Sequence, residues 1–170
     1  MPSDNNVQRI LVVSDTHHRA FKMTAVMKRE KHFDLCFMLG DVVGQMEEIR
    51  DAVKCPVVAV KGNCDYDSKA NFTEIYELGS HKIFLTHGHK YDVGYDLETL
   101  KSVARECECD IALYGHTHVP YYKKFSDGLI VANPGSLGNP RQFPSQPSYM
   151  FIEYEPDTEK VRFHQRFIEW

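Results

Sequence analysis

The stretch RILVVSD, residues 9–15, decides how the rest of the chain is read. Its apolar run is continuous rather than alternating and is dominated by Val and Ile, which suits a strand buried on both faces in a parallel sheet. The run ends in Ser14-Asp15. The same shape recurs as DLCFMLGD at 34–41 and as PVVAVKGN at 56–63. Between the three runs the spacing turns helical. Met23, Val26 and Met27 share one face of a helix predicted over roughly residues 20–31, and Met46, Ile49 and Val53 mark a second. The order is β-α-β-α-β, and each strand finishes in a polar residue: Asp15, Asp41 or Asn63. Functional groups in parallel α/β sheets collect at the carboxyl ends of strands.

Beyond residue 70 the pattern changes. FTEIYELG (72–79) and HKIFLTHG (81–88) read as two strands. Residues 95–107 read as a helix with Leu97, Leu100, Val103 and Cys107 on one stripe. DIALYGHTH (110–118) reads as a strand running into polar residues. YYKKFSDGLIVANPGS (121–136) reads as a hairpin turning at Asp127-Gly128. The tail from Ser148 gives two alternating strands around Pro156-Asp157-Thr158. The second half is therefore expected to be β-rich and largely antiparallel. No repeat, low-complexity tract or linker divides the chain, so residues 1–170 are read as a single domain.

Composition narrows the class. With 170 residues, 42% hydrophobic and 26% charged, the chain suits one globular core rather than a disordered or fibrous protein. Twenty Lys and Arg against 24 Asp and Glu, with no basic block, give no support for a nucleic-acid partner. The polar N-terminus MPSDNNVQRI lacks a signal-peptide core, and no run approaches the roughly 20 apolar residues of a membrane span. The five cysteines are odd in number and irregularly spaced, which argues against a disulfide framework. A cytoplasmic protein with reduced thiols is expected.

The strand-end residues form a set: Asp15 and His17 from SDTH, Asp41 from GD, Asn63 from GN, His87 from THGH, and His116 and His118 from GHTH. All offer oxygen or nitrogen. Carboxylates with several imidazoles suit manganese, iron, nickel or zinc. Seven ligands are too many for one tetrahedral ion but suit two ions sharing a carboxylate.

The blocks DTH, GD, GN, HG and GHTH, in that order, resemble the calcineurin-like metallophosphoesterases over residues 9 to about 141. The chain's size and its NPGSLGNPR stretch (133–141) are similar to the small YfcE-type phosphodiesterases. The resemblance implies an α/β fold, a four-layer α/β/β/α sandwich of two mixed β-sheets with flanking helices. It implies that Asp15, His17 and His118 hold one divalent ion, that Asn63, His87 and His116 hold another, and that Asp41 bridges them. Asp41, Asn63 and His87 would thereby be catalytic, with manganese the expected metal and nickel, iron or zinc the alternatives. The implied activity is hydrolysis of a small phosphodiester by in-line attack of a metal-bridging hydroxide. The spacing agrees, since two His two apart in an extended segment face the same side.

Other readings run beside this one. Asp15 and Asp41 each precede a predicted helix and could be N-caps. Arg141, in GNPRQFPSQP, is either a solvated loop residue or a phosphate contact. Asn133, Gly135 and Ser136 are expected to shape that loop. His18 and His89 are left outside the metal shell, and His32, His81 and His164 are expected to face solvent. Cys107 and Cys109 are expected to pack. In many relatives a His stands directly after the ligand Asn and protonates the leaving group; here Cys64 stands there, with Asp65 retained. Cys64 could touch substrate and donate a proton, or serve as a small apolar filler. A different functional class also remains: the retromer scaffold subunit has the same fold and works through protein contacts. A homo-oligomer is an open possibility.

Overall fold

The structure is a computed structural model and describes residues 6–169. Residues 1–5 of the polar N-terminus and Trp170 at the end of the last predicted strand lie outside the described residues. Ten strands form two five-stranded sheets. The first holds β1 (Gln8–Val13), β2 (Leu35–Met38), β3 (Val57–Ala59), β9 (Ser148–Glu155) and β10 (Lys160–Phe167), in the order β10-β9-β1-β2-β3. The second holds β4 (Thr73–Leu78), β5 (His81–Thr86), β6 (Ile111–Leu113), β7 (Tyr121–Lys124) and β8 (Ile130–Asn133), in the order β4-β5-β6-β8-β7. Both sheets are mixed. β1 pairs parallel with β2 and antiparallel with β9. In the second sheet β5-β6 and β6-β8 are parallel and the two outer pairs antiparallel. The expected antiparallel character of the second half thus holds for its hairpins but not for its centre, where the helix between β5 and β6 serves as a parallel crossover.

The apolar runs explain the layering. Ile10 and Val12 of β1 face the second sheet and join Phe37, Leu85, Leu113 and Ile152 in the layer between the sheets. Leu11 and Val13 face outward against Met23 and Val26 of α1 (Met23–Glu30) and Ile49 and Val53 of α2 (Met46–Val53). On the far side α3 (Glu98–Glu106) lays Leu100 and Ala104 on Phe84, Ala112 and Val131. Each central strand is covered on both faces, hence the unbroken runs. Among the described residues no helix is long and apolar enough to cross a membrane.

The strands are shorter than their apolar runs. β1, β2 and β3 end at Val13, Met38 and Ala59, two to four residues before Asp15, Asp41 and Asn63. Leu39 and Val60 lie beyond the strand ends yet remain buried between the sheets, which is why the runs continue. The ligand candidates therefore sit on loops leaving the carboxyl ends of β1, β2, β3, β5 and β6. α1 and α2 begin after Lys22 and Gln45 without a side-chain cap, so Asp15 and Asp41 are not N-caps.

Two solvent-facing expectations fail. His81 is 17% exposed at its side chain, with Nδ1 2.6 Å from Asp110 Oδ2 and Nε2 2.6 Å from the Glu159 carbonyl. His164 lies opposite Phe151 in the β9-β10 register and stacks on it, ring centroids 4.5 Å apart. His32 is exposed, as expected.

Candidate metal centre

The seven predicted residues converge, although their loops lie as far apart in sequence as His17 and His118. His118 Nε2 is 3.1 Å from Asp15 Oδ1 and 3.2 Å from His17 Nε2, and His17 Nε2 is 3.5 Å from both Asp15 Oδ1 and Asp41 Oδ2. Beside this group His87 Nε2 is 3.0 Å from Asn63 Oδ1 and 3.3 Å from Asp41 Oδ2, while His116 Nδ1 is 3.1 Å from Asn63 Oδ1. Asp41 Oδ2 thus faces both groups.

The backbone that delivers these side chains is strained. Asp15, His17, Asp41, His116 and His118 all have positive φ, between 41° and 70°. Such values are uncommon for residues other than glycine and cluster at functional sites. They also correct the extended reading of GHTH. β6 stops at Leu113, Thr117 N–H donates back to the Gly115 carbonyl at 2.8 Å, and the turn sends His116 to one group and His118 to the other. Two glycines permit the loops to approach. A Cβ on Gly62 would fall 2.0 Å from Asp41 Oδ1, and one on Gly115 would fall 2.1 Å from Ser14 Oγ.

The protonation pattern tests whether a cation fits among these residues. His118 Nδ1 is 2.6 Å from the Asn139 carbonyl and His87 Nδ1 is 2.7 Å from the Leu39 carbonyl. A carbonyl only accepts, so each Nδ1 carries a proton, and in the neutral ring Nε2 then presents a lone pair. Those lone pairs point at carboxylate and amide oxygens. Asp15 is fully buried; its Oδ2 accepts from Ser14 Oγ and the His116 N–H, but its Oδ1 has no hydrogen-bond partner. A buried carboxylate oxygen facing imidazole lone pairs is costly unless a cation lies between them. The donor set fits divalent transition ions.

Asp65 is the functional residue whose role the sequence concealed. Its carboxylate accepts three backbone N–H groups, from Asp41 (2.7 Å), Gly62 (2.8 Å) and Val43 (2.8 Å), tying the loop after β2 to the loop after β3. Cys64 donates its own N–H to Asp41 Oδ1 at 2.8 Å. Its Sγ can lie within 4.8 Å of His17 and Asp41 ligand atoms, closer to the centre than a bystander need be. Burial first, then the Asp41 carboxylate, pushes the Cys64 thiol up to about 11. Such a thiol is protonated at neutral pH.

The surrounding residues largely match expectation. Asn133 holds the Gly115 carbonyl and the Gly135 N–H, and Ser136 Oγ donates to the Asp15 carbonyl. Both shape the loop. Arg141 donates its N–H to the His118 carbonyl at 3.1 Å, while its side chain is exposed. His89 lies beside the centre, its ring 5.4 Å from that of His87, and His18 is exposed. Cys109 is buried and Cys107 packs against the α3 layer.

Known proteins resemble this chain in sequence and in fold. The calcineurin-like phosphoesterase superfamily domain matches residues 9–157. The probable metallophosphoesterase YsnB of Bacillus subtilis is 31% identical over 158 residues, covering 92% of this chain and 90% of that protein. Phosphodiesterase YfcE of Escherichia coli is 29% identical over 111 residues, 60% of this chain and 55% of that one. Among solved structures, a predicted phosphoesterase of Streptococcus pneumoniae superposes with a TM-score of 0.74 at 28% identity, covering 94% of this chain and 98% of that one. Wild-type Vps29 of Entamoeba histolytica, crystallised with zinc, shares the fold with a TM-score of 0.72 at 24% identity over 94% of this chain and 99% of that one.

Proposed function

The chain belongs to the calcineurin-like phosphoesterase superfamily, and from that premise we propose that it is a phosphodiesterase working with two divalent metal ions, manganese first among them. The observation that carries the reading is the orphaned Oδ1 of buried Asp15, which faces Nε2 of His118 and of His87, two rings whose Nδ1 protons are committed to backbone carbonyls. Asp15, His17 and His118 would hold one ion, Asn63, His87 and His116 the other, and Asp41 would serve both. Bound there, such a pair acidifies a water as the nucleophile and neutralises phosphate oxygens.

The chain's own residues do the rest. The carbonyls of Asn139 and Leu39 fix His118 and His87 in the tautomer that leaves Nε2 free. Asp65 holds the two loops so that Asp41 and Asn63 face the same point. The Cys64 thiol, held protonated, is neither nucleophile nor ligand in this reading. The expected substrate is a small phosphodiester, met in the cytoplasm by a single domain without nucleic acid or membrane as partner.

Metal content and turnover test the reading together. The protein should carry about two divalent ions per chain, and should hydrolyse bis(p-nitrophenyl) phosphate with manganese, lose that activity to a chelator and regain it with the ion. Asp41→Ala should abolish turnover, whereas exposed His32→Ala should not. An Asp41→Ala variant that kept most of its turnover would remove the shared carboxylate from the scheme. A second reading is a protein-binding scaffold. Vps29 of Schizosaccharomyces pombe is 42% identical over 81 residues. Since a Vps29 has been crystallised with zinc, metal content alone does not separate the two readings; metal bound without any phosphodiester turnover would favour the scaffold.

A further inference from the structure

A cavity of about 450 Å³ lies against the metal centre. Val43, Met46, Val60, Cys64 and Tyr66 are among the residues that line it, and so are the acidic Glu47 and Asp67. Cys64 belongs both to this wall and to the group of atoms within 4.8 Å of one another that includes His17 and Asp41. Cys64 therefore stands between the cavity and the candidate metal centre. Its volume is that of a small-ligand site, which typically runs from roughly 300 Å³ upward.

We propose that this cavity receives the alcohol arm of the phosphoester, and that the arm it takes is apolar and free of negative charge. The inference rests on the phosphoesterase reading and adds a substrate class to it. A phosphorus centre held near Asp41 and Asn63 would have Cys64 beside it, and Val43, Met46, Val60 and Tyr66 beyond Cys64 in the cavity wall. Apolar walls gain by excluding water from a matching surface. The polar side chains select against anions. Asp65 is already committed to three backbone N–H groups. Glu47 and Asp67 are acidic and exposed, and among the described residues no Lys or Arg lines the cavity. An arm bearing a carboxylate or a second phosphate would enter beside two like charges with no cation to receive it.

The test compares binding of three phosphonates to manganese-loaded protein by titration calorimetry: methylphosphonate, 4-methylphenylphosphonate and 4-carboxyphenylphosphonate. Burying one face of an aryl ring should make the methylphenyl compound bind about tenfold tighter than methylphosphonate, with the carboxyphenyl compound no tighter than methylphosphonate. In the Glu47→Lys/Asp67→Lys variant, both positions being exposed, the carboxyphenyl compound should overtake the methylphenyl one. Equal affinities for all three, or an order unchanged in the double variant, would overturn the proposal. A second readout does not depend on the ions. The labelled methyl resonance of Met46 should shift with p-cresol and not with 4-hydroxybenzoate, and no shift with either would likewise overturn it. Cresol binding without any phosphodiester turnover would keep the cavity's assignment while removing the phosphoesterase reading. Turnover indifferent to the arm would do the reverse.

Discussion

The carboxylate of Asp65 accepts the backbone N–H of Asp41 at 2.7 Å, and through this bond the loop after β3 sets the position of a residue on the loop after β2. The same oxygen also accepts the Gly62 N–H, and the other takes that of Val43. Asp65→Asn supplies only one carbonyl oxygen, so its amide must face an N–H. Stability should fall by about 1–3 kcal/mol, the cost of a buried donor left unpaired. Metal affinity should fall about 10–100-fold, as it does when the groups that orient ligands are lost. Thermal melting and a metal titration read the two effects separately. A variant with unchanged affinity would show that Asp65 serves the fold alone.

Asp15→Asn should have opposite effects on stability and on metal binding. Its amide nitrogen, placed where Oδ1 now stands, would donate to His118 Nε2 across 3.1 Å and end the confrontation of acceptors. Metal-free Asp15→Asn should therefore melt no lower than metal-free wild type, and higher by up to about 1–3 kcal/mol in stability. Its affinity for divalent ions should drop sharply. A metal-free variant clearly less stable than wild type would mean that Asp15 Oδ1 is satisfied without a cation.

For Cys64, the expectation is that Cys64→Ala keeps its metal and most activity on a p-nitrophenyl diester. Burial and the neighbouring Asp41 carboxylate raise the pKa of the thiol, which makes it a weaker acid than a free thiol. The informative comparison is kcat/KM for wild type and variant across leaving groups of graded acidity. A loss beyond about 100-fold, largest on the poorest leaving groups, is the scale of a general acid and would assign that role to Cys64.

His81 gives a pH dependence far from the centre. Burial works against its charge, but the Glu159 carbonyl and the Asp110 carboxylate outweigh burial and raise its pKa above 6.5. The stabilisation is fully present below the unfolded value, near 6.5, and is lost as pH rises through the raised folded value. Melting temperature should therefore decline over that window in wild type. In His81→Gln the decline should flatten. Parallel profiles for the two proteins would exclude His81 as its source.

How much of this was legible in the sequence depended on where each constraint lies. The runs at 9–15, 34–41 and 56–63 were readable because burial on both faces leaves no polar interruption. The strand ends were not, because Leu39 and Val60 stay buried after the ladder has stopped. The seven ligand candidates were readable by type and order, whereas the left-handed turn at His116 and His118 was invisible to spacing. His81 and His164 were misplaced because Asp110, Glu159 and Phe151, which cover them, are remote in the chain. Asp65 stands in KGNCDYD (61–67), yet nothing in that heptapeptide shows that it holds the loop containing Asp41.

The metal centre draws Asp15, His17, Asp41 and Asn63 from loops of one sheet and His87, His116 and His118 from loops of the other. His17 and His118 meet across 101 positions of sequence. Contacts of such separation form late, because the chain entropy of closing them must be overcome before they contribute. In the two-ion reading the polypeptide would therefore reach its native topology first and be loaded afterwards, so scarcity of metal would leave a reservoir of folded, inactive molecules.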